Sequence, residues 1–271
     1  MQLIGHINED QVMALYLGEL TGDEEQRLHR HLSDCPGCNR EFSLYREILS
    51  GVETLVRQMG GAQAQLLRAA IKTKMREKQI YYEFMQHPLT GPMLVAVTAR
   101  GVCLIQFTDK SAFEVEEMLR QRQPEVWIKR DQLLTAAMIQ ELQLYLQRKL
   151  SRFTIPIDWR LVTSEFQRQV LQLTSRIPYG QVYTYGEIAQ KLGKPKSARA
   201  VGQALGANPI PIVVPCHRVL ASSGKLGGYS GRPGEEGLKL KRRLLQLEGV
   251  RWPGNGRHLA RQIELFTDWI G

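Results

Sequence analysis

The sequence predicts an α+β protein of more than one domain: a small helical head, an α/β middle, and a helical part built around a helix-turn-helix. Three observations carry this. Charge is split along the chain: of the 36 Lys and Arg, residues 1–60 hold 5 against 10 Asp and Glu, and the remainder holds 31 against 17. The texture turns β-rich at Ile80 and returns to a helical period at Thr163. The 271 residues, 43% hydrophobic, suffice for several cores and argue against wholesale disorder.

The head, residues 1–60, reads as three helices. Val12, Leu15, Tyr16 and Leu20 fall at helical spacing over 9–20. A polar break, "TGDEEQ", opens a second helix holding Leu28, His31 and Leu32. A third follows Cys38, with Phe42, Tyr45, Ile48, Leu49, Val52, Leu55 and Val56 on one stripe until Gly60-Gly61 interrupts it. Residues 61–79 carry no strand signal, end basic, and read as a helical or partly disordered linker.

Residues 80–160 form an α/β unit. "MLVAVT" and "VCLIQF" flank Ala99-Arg100-Gly101 as a hairpin, with Cys103 in its core. "SAFE", Ser111–Glu114, is a capping box that opens a helix to about Arg122. A helix over 132–149 shows Leu133, Leu134, Ala137, Leu142, Tyr145 and Leu146 as its apolar face, and "TIPIDWRL" is strand-like. His87 and His258 read as surface or loop residues.

Residues 161–250 turn helical. "TSEFQRQVLQLTSRI" is amphipathic, "PYG" breaks it, and "TYGE" is a second capping box opening "TYGEIAQKLG". After "KPK" comes "SARAVGQALGAN". Two short helices joined by a tight turn on a basic body read as a helix-turn-helix. Residues 251–271 are a tail. The basic charge fits a polyanion such as nucleic acid and fits an inert basic surface equally well.

No apolar run approaches the roughly 18 residues of a membrane span, and the start has no signal-peptide character. A cytoplasmic monomer is expected. Four cysteines in such a chain are not a disulfide framework; a CxxC pair there points to metal or redox chemistry. "HLSDCPGC" sets His31, Cys35 and Cys38 so that His31 and Cys35 share a helix face and Pro36-Gly37 turns Cys38 back beside Cys35. Tetrahedral zinc needs a fourth ligand. His6, just before the first helix, is the natural candidate and His29 the rival, though His29 faces away from His31. The stretch from His6 through Cys38 resembles the anti-sigma-factor-type zinc finger, which implies one structural Zn2+ held by His6, His31, Cys35 and Cys38 and a module that contacts a protein partner.

Near the C-terminal end, "PIPIVVPCHRVLASSG" delivers Cys216 and His217 side by side. A free thiol is mostly protonated at neutral pH, so a nucleophilic cysteine needs a base, a cation or a helix N-terminus. If the run is a strand, the two side chains point to opposite sides, and a water or a turn must link them. Glu248 in "LLQLEG" is a carboxylate that could orient His217. On these residues alone a buried, inert cysteine is the favoured reading.

The flanks decide between these. "PYGQVYTYGEIA", "SARAVGQALGANP", "VPCHRV" and "GYSG" occur together and in order, and together they resemble the O6-alkylguanine-DNA alkyltransferases from about residue 80 to 250. The resemblance implies a ribonuclease-H-like α/β half, then a helical half with a winged-helix-like helix-turn-helix and the reactive cysteine. It implies repair of double-stranded DNA: Cys216 takes the alkyl group from guanine O6, and by extension thymine O4, once per molecule and without a cofactor. In the same terms Tyr179 protonates the leaving base. His217 acts on the thiol through water and is held by Glu248. Arg199 fills the gap left by the flipped nucleotide, and Ala198 and Gly202 permit close helix–DNA approach. Asn208 ties the helix-turn-helix to the active-site segment, Tyr229 and Ser230 line the base pocket, and the Val219 carbonyl reads the guanine amino group. "RPGEE" lengthens one loop relative to the family, and Leu205 and Gly228 stand where Met and Asn are usual. A lesion-sensing regulator signalling through the zinc module is the alternative.

Overall fold

The computed structural model describes residues 7, 9–16, 20–49, 59, 61–124, 126–229 and 234–250. Two compact units divide at Lys78/Gln79.

The first unit contains α1 (Glu9–Tyr16), α2 (Gly22–Asp34), α3 (Pro36–Leu49) and α4 (Gly61–Glu77). The start of α2 is fixed by Thr21, whose amide and hydroxyl both donate to the Glu24 carboxylate, at 2.9 and 2.8 Å. α3 lies against both α1 and α2, with Val12, Leu28, Leu32 and Phe42 buried. The expected linker is helical over 61–77, so the disordered alternative is dropped there. Val52, Leu55 and Val56 of the expected stripe lie outside the described residues.

The second unit opens with a four-stranded sheet of β1 (Gln79–His87), β2 (Gly91–Thr98), β3 (Gly101–Phe107) and β4 (Trp127–Arg130), in the order β3-β2-β1-β4. The hairpin β2–β3 is antiparallel, as is β1–β2; β4 runs parallel to β1, which requires a crossover, supplied by α5 (Ala112–Arg122). Alternation sends Ile80, Tyr82, Leu94 and Ala96 toward α5, and Met85, Met93, Val95 and Val97 toward α6 (Gln132–Leu146). Two sequence expectations are corrected here. Asp131 caps α6 by accepting from the amides of Leu133 and Leu134. That puts both leucines in the first turn, before the helix meets the sheet, and they are 83% and 51% exposed. Ala137 is exposed too, and the buried face is Thr135, Met138, Leu142, Tyr145 and Leu146. "TIPIDWRL" makes only one bridge, Ile157 to Val102, before Asp158 caps a 3₁₀ turn at Trp159–Leu161; Pro156, with no amide hydrogen, cannot extend the ladder.

Then follow α7 (Glu165–Thr174), β5 (Tyr183–Thr184), α8 (Tyr185–Lys191), a 3₁₀ turn at Pro195–Ser197, α9 (Ala198–Gly206), a 3₁₀ turn at Cys216–Arg218, β6 (Val219–Leu220) and α10 (Gly234–Leu247). The capping box at Thr184 and Glu187 starts α8, and α8 and α9 are the helix-turn-helix pair. One apolar core runs from the sheet through α6 to Val214, Cys216 and Val219, and Ile105 N donates to Pro209 O at 2.9 Å across the two halves. Cys103 is buried in the sheet, and burial pushes its thiol up to about 12, which fits a core cysteine.

Candidate active site and metal centre

The segment around Cys216 is a 3₁₀ turn and not a strand, because Pro215 precedes it and Arg218 N closes back on Pro215 O at 2.8 Å. The turn therefore overrides the strand alternation expected for Cys216 and His217. Asn208 clamps the approach to it: its Oδ1 accepts from Ile210 N (3.0 Å), and its Nδ2 donates to Val214 O (2.9 Å) and to Cys216 Sγ (3.3 Å). Between those anchors Ile212 sits at φ +76°, a left-handed conformation that a β-branched residue adopts only when its surroundings enforce it.

Behind the thiol lies a buried ionic cluster. Glu248, just after α10, accepts from His217 Nε2 (2.9 Å), from Arg218 Nε and Nη2 (2.9 and 2.7 Å), from Tyr145 Oη (2.6 Å) and from Gly180 N (3.2 Å). Burial alone would raise this carboxyl; the hydrogen bonds and charges of His217 and Arg218 outweigh it and hold Glu248 far below the usual carboxylate range. For His217 the balance is reversed. Desolvation is the larger effect, and it lowers the imidazole despite the carboxylate beside it, so the ring is a neutral base at physiological pH. His217 Nδ1 is buried without a hydrogen-bond partner among the described residues. Nδ1 is thus the ring nitrogen left to receive a proton.

Tyr179, half-buried, donates to Leu247 O at 3.1 Å, and burial followed by the Glu248 charge raises its phenol. Tyr229 is buried with its ring 6.3 Å from that of His217. The Val219 carbonyl accepts from Lys241 Nζ at 2.6 Å and has a second lone pair to offer. Arg199 is exposed in the first turn of α9, while Ala198 and Gly202 are half-buried. A Cβ on Gly202 would meet only the Tyr185 ring, at 3.8 Å, so the protein's own packing does not demand glycine there. A Cβ on Gly228 would meet nothing within 4 Å among the described residues, and Leu205 is buried. Ser230 lies outside the described residues.

Three residues of this cluster escaped the sequence reading. Arg218 sits inside "PCHR" and its partner was not foreseeable from spacing. Tyr145 reads as an apolar-face residue. Lys241, fully buried on α10, also donates to Gly228 O (3.2 Å), and burial brings its ammonium down to about 8 against the opposing pull of Cys216. Its spacing, two helical turns before Glu248, is the signal that would have placed it on the same face.

In the first unit His31, Cys35 and Cys38 hold their donor atoms within 4.8 Å of one another, with His31 Nε2 and Cys38 Sγ 3.4 Å apart. Bonds of about 2.0 and 2.3 Å to one tetrahedral zinc set a nitrogen–sulfur edge of about 3.5 Å, so the geometry fits. His29 is exposed and pairs with Glu25 at 3.8 Å, away from this cluster. His6 lies outside the described residues.

Comparison with known proteins agrees with this layout. The model of the 6-O-methylguanine DNA methyltransferase DNA binding domain matches residues 165–250, that of the ribonuclease-like domain of the same family matches 80–159, and a putative zinc-finger model matches 9–39. A methylated-DNA–protein-cysteine methyltransferase of Methanosarcina acetivorans is 37% identical over 171 residues, covering 63% of this chain and 99% of its own. One of Mycolicibacterium paratuberculosis is 50% identical over 131 residues, covering 48% and 71%. The crystal structure of Mycobacterium tuberculosis OGT in complex with DNA aligns with TM-score 0.52 at 34% identity, covering 62% of this chain and 92% of that one. With both family halves matched in order around the Cys216 cluster, the chain belongs to the O6-alkylguanine-DNA alkyltransferase family, with a zinc-finger-type module ahead of it.

Proposed function

We propose that this chain repairs double-stranded DNA by moving the alkyl group of O6-alkylguanine, and of O4-alkylthymine, irreversibly onto Cys216. The observation that carries the reading is a buried thiol on the same 3₁₀ turn as a buried neutral imidazole, whose Nε2 is held by an ionised carboxylate. The Cys216 proton passes through water to His217 Nδ1. The sulfur attacks the alkyl carbon, the carbon–O6 bond breaks, and guanine leaves with a proton delivered from the Tyr179 side. Net, the thiol proton replaces the alkyl group on guanine. Glu248 stabilises the imidazolium formed meanwhile. The thioether has no route back, so each molecule reacts once.

A guanine O6 inside stacked duplex cannot be reached in place, and rotating the nucleotide out costs a few kcal/mol. The exposed Arg199 on α9 is placed to fill the gap, with Ala198 and Gly202 allowing close approach. Tyr229 and Ser230 would line the base pocket, Val219 O would take the guanine amino group, and Asn208 holds the thiol segment to the helix-turn-helix.

In the head, His31, Cys35 and Cys38, with His6 as fourth ligand, would hold one structural zinc; the metal would staple α2 to α3 and present the acidic module to a protein partner. No helix among the described residues is long and apolar enough to cross a membrane; a cytoplasmic monomer remains the reading proposed. The alternative, a lesion-sensing regulator in which Cys216 alkylation signals through the zinc module, is not favoured, since the matched relatives are named for methyl transfer to cysteine. The test is stoichiometry: DNA carrying a labelled O6-methylguanine should load one methyl per protein and stop, and Cys216→Ala should load none. Continued turnover, or loading of Cys216→Ala, overturns the reading.

A further inference from the structure

We infer that Tyr145, contributed by α6 of the ribonuclease-like half, is a positioning residue for the transfer: its hydroxyl fixes the hydrogen of His217 on Nε2 and so leaves Nδ1 as the base. The inference rests on the reading of Cys216 and His217 given above.

The geometry leaves one arrangement. Tyr145 Oη donates its single hydrogen to Glu248 Oε1 at 2.6 Å. The same oxygen lies 3.3 Å from His217 Nε2 and, its hydrogen spent, can only accept there. Glu248 Oε1, 2.9 Å from Nε2, is an ionised carboxylate and also only accepts. Two acceptors thus face Nε2. The other tautomer would set a third lone pair against them inside a buried cluster of low dielectric. Tyr145 is fully buried, and burial together with the Glu248 charge keeps its phenol protonated.

A buried tyrosine usually finds some partner for its hydroxyl. This one reaches the relay carboxylate itself, 103 residues away in the chain, and its ring meets that of Tyr179 edge-on at 6.1 Å. Tyr145 therefore touches the base, the group that holds the base, and the ring of Tyr179. The α/β half is in this way part of the chemistry and not only a support for it. Among the described residues the other groups acting on His217 are Arg218 from its own segment, Lys241 from α10, and Tyr229, whose ring lies 6.3 Å from the imidazole.

The variant is Tyr145→Phe, which keeps the ring in the core. Removing the donor leaves Glu248 more basic, so His217 holds a proton to higher pH. The expected result is a methyl-transfer rate constant about tenfold lower, the worth of one hydrogen bond, with its acid limb moved to higher pH and lesion binding, measured in a Cys216→Ala background, unchanged. Unchanged rate and limb overturn the inference; so does a slower rate with an unmoved limb, which marks a packing role. The nitrogen-15 spectrum of the unmodified full chain needs no variant: His217 protonated at Nε2 supports the inference, and protonation at Nδ1 overturns it. If the unmodified chain does not methylate Cys216 at all, the reading of the reaction itself has failed, and the inference with it.

Discussion

At one end of the chain His31, Cys35 and Cys38 turn their donor atoms toward one another within 4.8 Å, with His31 and Cys35 partly exposed. At the other, Cys216, His217 and Glu248 are all buried, the sulfur meets the Asn208 amide, and the imidazole meets the carboxylate. The residue types are nearly the same and the chemistry is opposite. A helical turn followed by Pro36-Gly37 brings two thiols and an imidazole toward one point, a donor set that fits a metal. A proline-opened 3₁₀ turn inside an apolar core separates thiol from base and gives the base its own counter-charge. Convergence makes a ligand set; separation with a third, orienting group makes a nucleophile and its base.

Substitution breaks this contrast most sharply at the cysteines. Cys216→Ala should abolish alkyl transfer, whereas Cys35→Ser, in a separate compact unit, should leave its rate within about twofold; rates on lesion-bearing duplex check both. For Cys35→Ser, bound zinc measured by elemental analysis should fall from about one per chain to near zero and the head should lose its cooperative melting, because metal binding and folding are linked. Full zinc retention would discard the ligand set.

Glu248→Ala should destabilise the second unit by about 3–5 kcal/mol in denaturant titrations, since it leaves the Arg218 guanidinium buried without a counter-ion. In the head the comparable test is removal of the metal that the three donor groups are proposed to hold. Next in size, Arg199→Ala should slow repair in duplex DNA by about tenfold or more, the gap-filling contribution being set against a flipping cost of a few kcal/mol, while reaction with a free O6-benzylguanine base should hardly change. Equal losses on both substrates would remove Arg199 from the flipping step.

The smallest effect is a pH dependence. The folded-state pKa of His217 lies below its unfolded value, so the unfolded chain takes up the proton first as pH falls. Its stability contribution is complete above the ordinary histidine range near 6.5 and is lost as pH falls through that value toward the lower, folded one. Glu248 stays ionised throughout this window. Melting temperatures taken between about pH 8 and about pH 5 should therefore decline more in the unmodified chain than in His217→Gln; parallel curves would contradict the assignment.

Much of this was readable in the residues, and what was not has physical reasons. The hairpin, the two capping boxes at Ser111 and Thr184 and the helix-turn-helix pair are local: their signals lie within a few residues of their effects. β1 and "WIKR" of β4 escaped because a strand is completed by its partner, and four residues show no period of their own. The α6 face slipped because the Asp131 cap, not the apolar count, sets where the helix first meets the sheet. Cys216, His217 and Glu248 could be singled out by motif, but Tyr145 looks like core until a carboxylate 103 residues later docks on it. Arg218 stood in plain view inside the motif, and only the fold shows that Glu248 takes its fork.

The most direct test of the contrast is a peptide map of the zinc-loaded chain after exposure to duplex DNA carrying one O6-methylguanine. The account predicts a single added methylene on the peptide holding Cys216, saturating at one per molecule, with the peptides of Cys35, Cys38 and Cys103 unchanged. Methyl on Cys35 or Cys38, or none on Cys216, would contradict it.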